Sequence, residues 1–139
     1  HNLPTFDGVQ QLPGAEYAAR EVSPDKNSIT GELAGAYPPI PGLGTYRRSV
    51  SVREQGITLR DETDHPGTVE LTLLTEQQPV PAADGFVVGM LGGIRFDPDA
   101  VTAAVAPVSI TDPRLRTAWP ETIYKITLHF QKMLNLELY

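Results

Sequence analysis

Along most of the chain apolar and polar residues alternate, the period-2 pattern of strands that bury one face. In residues 46–53, Tyr46, Arg48, Val50 and Val52 fall on one side. A turn at Glu54-Gln55-Gly56 then leads into Ile57 and Leu59, so this stretch predicts a hairpin running to Asp61. Residues 68–75 place Val69, Leu71 and Leu73 together. Two short apolar runs, 85–90 and 93–96, are separated by Leu91-Gly92, and a valine- and alanine-rich run over 101–110 stops before Asp112-Pro113. The final segment alternates most regularly. Tyr124, Ile126, Leu128 and Phe130 oppose Lys125, Thr127, His129 and Gln131, and the same parity resumes with Leu134, Leu136 and Leu138. That predicts one long bent strand or two strands meeting at residues 131–133. Residues 15–22 have the best helix propensity in the chain, but eight residues are too few to hold a helix unaided. Turn residues flank them, so a strand is expected there. The run Pro38-Pro39-Ile40-Pro41-Gly42 predicts a loop. Many short strands without long helices predict an all-β fold, an antiparallel β-sandwich with little or no helix.

Composition narrows the picture further. The 139 residues suffice for one domain, residues 1–139, and the absence of cysteine leaves apolar burial as the source of stability. At 40 % hydrophobic residues the chain has material for a core, yet no apolar run approaches the roughly 20 residues that cross a bilayer. A formal net charge of −6 argues against nucleic acid or an anionic membrane as partners, though not against a local basic patch.

Several side chains invite a chemical reading. Asp61-Glu62-Thr63-Asp64-His65 holds enough oxygen and nitrogen donors for a divalent cation, but no glycine spaces them before Gly67. A solvated turn between two strands is the expectation. Arg47 and Arg48 point to opposite faces of a strand. Arg48 shares parity with Val50 and is expected to pair with a carboxylate at the sandwich edge; Arg47 is the candidate for an anionic sugar or a neighbouring domain. A structural role for both is the simpler reading. Trp119, just before Pro120 at the entrance to the last strands, is expected to plug the core, which makes Trp119→Ala destabilising by about 3–5 kcal/mol. The alternative is a ring that stacks on a sugar. His129 falls on the polar side of its strand and is expected to face solvent.

Taken in order, a set of short motifs resembles the C-terminal β-sandwich of heparinase II/III-like polysaccharide lyases. They are His1-Asn2 with Asp7-Gly8 and Gln11; Gly35-Ala36-Tyr37-Pro38; and Tyr46-Arg47-Arg48-Ser49-Val50 running into Ile57-Thr58-Leu59-Arg60-Asp61-Glu62. Val69-Glu70-Leu71 with Leu74-Thr75, then Trp119 and Tyr124-Lys125-Ile126, complete the series. The resemblance covers nearly the whole chain and implies an α/α-toroid upstream in the same polypeptide. It implies an enzyme that cleaves a uronate-containing polysaccharide by β-elimination, to which this domain contributes His1 as a catalytic residue and Asn2 and Arg47 as substrate-binding residues. The tyrosine acid–base and the carboxylate-neutralising group would belong to the toroid, so Tyr37, Tyr46 and Tyr124 are not candidates and the domain alone is expected to be inactive. Some family members hold zinc through a histidine two places after the catalytic one. Leu3 stands there instead, and no metal or cofactor is expected. The implied partners are the toroid and an acidic polysaccharide, a substrate class that favours the periplasm or the cell exterior. A carbohydrate-binding or purely structural sandwich is the alternative, and His1 as a tag remnant is the alternative for that residue.

Overall fold

The computed structural model describes residues 3–90 and 92–139. Among them twelve strands appear: β1 (Thr5–Phe6), β2 (Arg20–Pro24), β3 (Ser28–Glu32), β4 (Tyr46–Arg53), β5 (Gly56–Thr63), β6 (Val69–Thr75), β7 (Pro79–Ala82), β8 (Gly85–Val88), β9 (Gly92–Arg95), β10 (Thr102–Ser109), β11 (Thr122–Phe130) and β12 (Met133–Leu138). Single 3-10 turns at Ala34–Ala36 and Leu115–Thr117 are the helical pieces. The strands form two antiparallel sheets, a four-stranded one in the order β1-β6-β11-β10 and an eight-stranded one in the order β2-β3-β4-β5-β12-β9-β8-β7. Their inner faces share one core. Val69, Leu71, Ile126, Leu128 and Phe130 come from the smaller sheet, and Tyr46, Phe86, Ile94, Leu134 and Leu136 from the larger. The all-β sandwich read from the alternation is the observed fold.

The final segment is two strands, and they lie in different sheets. β11 is interior to the four-stranded sheet and β12 to the eight-stranded one. The crossing is made at Lys132, whose φ of +56° turns the chain in the left-handed region. Because parity carries through the crossing, both strands aim their apolar sides at the same core. The hairpin of β4 and β5 forms as expected, pairing Arg53 with Gly56 at its turn and Tyr46 with Thr63 at its open end.

Residues 15–22 are corrected in part. Only their last three residues enter β2, which continues through Ser23 and Pro24, and Tyr17 instead closes a turn onto Gly14. The alternation also gave no sign of β3, interrupted by Gly31, or of β7, with prolines at 79 and 81. The prolines within strands have a consistent place. Pro24 lies in β2, Pro79 and Pro81 in β7, and Pro107 in β10, each an outermost strand of its sheet. The fourth outermost strand, β1, is two residues long. A proline cannot donate to a further strand, and a very short strand offers little to pair with, so all four edges resist edge-to-edge association.

Eight strands extend well beyond four. On the inner face of the larger sheet, the stripe formed by Val22, Ile29 and Val52 emerges from the core, with about half of each side chain's surface in solvent (52 %, 48 % and 58 % exposed).

Candidate functional site

The beginning of the described chain is fixed to the core by aromatic packing. Phe6 is fully buried, and its ring meets Tyr37, Tyr46 and His65 edge-on at centroid distances of 5.1, 5.3 and 5.4 Å. The Tyr37 hydroxyl donates to the Pro4 carbonyl at 2.6 Å. Asp7 and Gly8, both at positive φ, turn the chain back, and Phe6 and Val9 exchange backbone hydrogen bonds of 3.1 and 2.9 Å.

Beneath this cluster lies a buried ion pair. Arg48 and Asp61 stand opposite each other in the register of β4 and β5. The guanidinium donates through Nε and Nη2 to the two carboxylate oxygens, each at 2.6 Å. The Asp61 side chain has no exposure and that of Arg48 only 11 %. Burial works against the Arg48 charge, but the hydrogen bonds and charge of Asp61 outweigh it and raise the Arg48 pKa. Burial also pushes the hydroxyl pKa values of Tyr37 and Tyr46 well up; Asp61 adds to this and Arg48 opposes it. Both phenols therefore stay protonated and inside. The Tyr46 hydroxyl has no well-aligned hydrogen-bond partner, although it is close enough to feel the Asp61 charge.

The stretch 61–65 is not the solvated turn expected of it. Asp61 points inward from β5, and His65 is 99 % buried where the chain leaves the larger sheet for the smaller. The His65 Nε2 lies 3.1 Å from a carboxylate oxygen of the exposed Asp7, without good alignment for a hydrogen bond. Gly67 permits this approach, because a Cβ there would sit 2.8 Å from both Asp7 Oδ1 and His65 Nε2. Glu62 and Asp64 face solvent, and the Asp64 Oδ1 accepts the amides of Gly44 and Thr45 at 2.9 Å each. Those bonds, chiefly the one from Thr45, hold its pKa below the ordinary carboxylate value. The segment joins the two crossings between sheets, since the Thr63 amide donates to the Lys132 carbonyl. Among the described residues no group of three or more metal-ligating side chains is assembled.

A polar groove of about 260 Å³ opens on the outer face of the four-stranded sheet. Residues 3–5 and the amides Gln10 and Gln11 wall one side, and Glu70, Thr72 and Lys125 from β6 and β11 wall the other. The outer position of the sheet residues follows from alternation with the buried Val69, Leu71, Ile126 and Leu128. Next along the face, His129 stands directly opposite Glu70 in the register, with Nε2 3.3 Å from its carboxylate. Both side chains are about 40 % exposed, so this pair, unlike His65 and Asp7, is open to an incoming molecule on both sides. The alternation placed His129 on the polar side of its strand; its partner depends on the register of β6 against β11, which a single strand's pattern does not carry.

The other candidates fall as follows. His1 and Asn2 lie outside the described residues; Leu3, two positions along, lines the groove. Arg47 is half exposed on the outer face of the larger sheet and pairs with Glu21 at 2.9 Å, away from the groove. Arg48 does pair with a carboxylate, but between interior strands rather than at an edge. Trp119 is 42 % exposed, beside the 3-10 turn of residues 115–117, and its amide donates to the Leu115 carbonyl. It is therefore no core plug, and the large destabilisation expected of one is withdrawn. Trp119→Ala is instead expected to shift stability by no more than about 0.5 kcal/mol, the usual range for surface positions, as read by thermal melting. A drop of several kcal/mol would restore the plug. No helix among the described residues is long and apolar enough to cross a membrane. No family model and no curated protein matches the chain.

Proposed function

We propose that this chain is the C-terminal β-sandwich of a heparinase II/III-like polysaccharide lyase, inactive alone, which walls one side of the substrate cleft. The groove beside residues 3–5 carries this reading. It offers an ammonium (Lys125), two amides and two threonine hydroxyls, the chemistry that complements the carboxylate and hydroxyls of a uronate. It stands two residues from His1, the residue to which the resemblance gives a role in catalysis. β-Elimination removes the proton α to the uronate carboxylate, which becomes acidic only when donors neutralise that carboxylate. Asn2 and Arg47 remain the other proposed contacts, and the exposed stripe of Val22, Ile29 and Val52 is suited to bracing the toroid. The cellular exterior or periplasm follows from such a substrate.

The test is an ultraviolet assay for unsaturated uronate on heparan sulfate, alginate and hyaluronan. The chain alone is expected to be silent and the toroid-containing polypeptide active. In the latter, His1→Ala should lower turnover by roughly 10²–10⁴-fold, the range for a positioned acid–base group. Activity of this chain alone, or an upstream region that encodes no toroid, would sink the proposal. The exposure of Trp119 supports a second reading, a carbohydrate-binding module, which requires Trp119→Ala to lose polysaccharide binding with an unchanged melting temperature.

A further inference from the structure

The opposite, outer face of the eight-stranded sheet carries a second concavity at the turn of the β4–β5 hairpin. Arg53 pairs with Gly56, and extending the register of Leu138 with Ile57 by one residue sets Tyr139 on the other side of Gly56. Tyr139 is in turn bonded through its backbone to Gly93. Gly56 thus leaves a gap between the Arg53 and Tyr139 side chains. The gap is built in: φ at Gly56 is +146°, and a Cβ would collide with the Leu138 carbonyl oxygen. The resulting slot is about 370 Å³, within the range of about 300–1,000 Å³ in which small-molecule sites fall.

Its lining is chemically distinct from the rest of the molecule. Arg53 makes no ion pair among the described residues. The Arg95 guanidinium lies 3.8 Å from the centroid of the Tyr139 ring, with Asp84 and Glu137 at 3.5 and 3.9 Å, too far for tight hydrogen-bonded pairs. Arg95 is balanced by Asp84 and Glu137, so the positive charge that the slot has to offer is that of Arg53. Gln55, Thr58 and Glu137 add an amide, a hydroxyl and an acceptor, which suit ring hydroxyls rather than a bare inorganic anion.

We propose that this slot binds a sugar acid, with Arg53 taking the carboxylate and Gln55, Thr58 and Glu137 taking hydroxyls against the Arg95–Tyr139 stack. The site stands on the sheet opposite the groove and does not depend on the lyase reading. Amide chemical shifts of the whole chain, titrated with glucuronate, glucose and acetate, test it. Glucuronate should move residues 55–58 and 137–139 saturably, at least about tenfold more tightly than acetate or glucose, a difference of about 1.4 kcal/mol. Arg53→Gln, at an exposed hairpin end where folding is not at stake, should abolish the response, and Lys125→Ala in the groove should leave it intact. Glucuronate bound no more tightly than acetate or glucose, a response unchanged in Arg53→Gln, or shifts confined to the groove residues would each overturn the assignment.

Discussion

Asp61→Ala is expected to destabilise the domain by about 3–5 kcal/mol, the cost of removing one partner from a buried ion pair. A domain has only about 5–15 kcal/mol in total, so a large part of the protein would unfold near physiological temperature. The effect comes from what stays behind. The Arg48 side chain is 11 % exposed and fixed between the Tyr46 ring and the floor of β5, where water cannot replace two carboxylate hydrogen bonds. Arg48→Met with Asp61→Leu removes both charges and fills the same space with apolar atoms. Such double replacements are often neutral or stabilising, by about 1–4 kcal/mol, so this one should lie near or above the wild type. Denaturant melts of the three proteins decide the matter. A single variant within about 1 kcal/mol of wild type would mean that the pair is already hydrated and that the interior is wetter than its burial implies.

The alternation along the strands exposed most of the fold, because nearly every central strand buries one face. β4, β5, β6, β11 and β12 were all legible for that reason. β3 and β7 were not: Gly31 leaves a hole in one pattern, and Pro79 and Pro81 make the other look like a loop. Proline's ban from strands is a ban from interior strands, and β7 is an edge. The same parity did hold information about Asp61, which shares a face with Ile57 and Leu59 in β5. Its charge suggested solvent, but an arginine at the paired position of β4 changes where a carboxylate can stand. Trp119 misled in the opposite direction, since an aromatic ring next to a strand was taken for core and lies half in water.

The groove depended on pairings that one sequence does not encode locally. Its walls lie far apart in the chain, with Gln10 and Gln11 on one side and Glu70, Thr72 and Lys125 on the other. Only the docking of β1 against the edge of β6 brings them together. The short motifs of the resemblance placed interest at the start of the chain, and the structure puts a polar concavity beside residues 3–5. The role of His1 and Asn2 there belongs to the proposal rather than to the geometry.

Because β1 carries one wall of the groove, Phe6→Ala should damage stability and ligand binding together. Phe6 is wholly buried, and truncating such a ring costs about 3–5 kcal/mol through lost transfer energy and the cavity left behind. For a chain between the sizes usually tabulated, that amounts to a fall in melting temperature of roughly 10–20 °C. The loss is expected near the top of the range, because three rings meet Phe6 edge-on and would lose a partner at once. β1 itself has only two residues paired to β6, so without the Phe6 ring its main remaining ties are the Tyr37–Pro4 hydrogen bond and the turn through Asp7 and Gly8. Local opening should therefore precede global unfolding, and amide exchange at Phe6 and Val9 should quicken more than exchange in β11. Gln10 and Gln11 would then lose their fixed position opposite Lys125, and any sugar affinity of the groove should fall even at temperatures where β11 and β12 stay folded. Tyr37→Phe is the graded comparison, since it removes one hydrogen bond, worth about 0.5–1.5 kcal/mol, and leaves the rings in place. Should Phe6→Ala melt within a few degrees of wild type with unchanged exchange at Val9, the aromatic cluster would not be what fixes the start of the chain, and the groove would need another support.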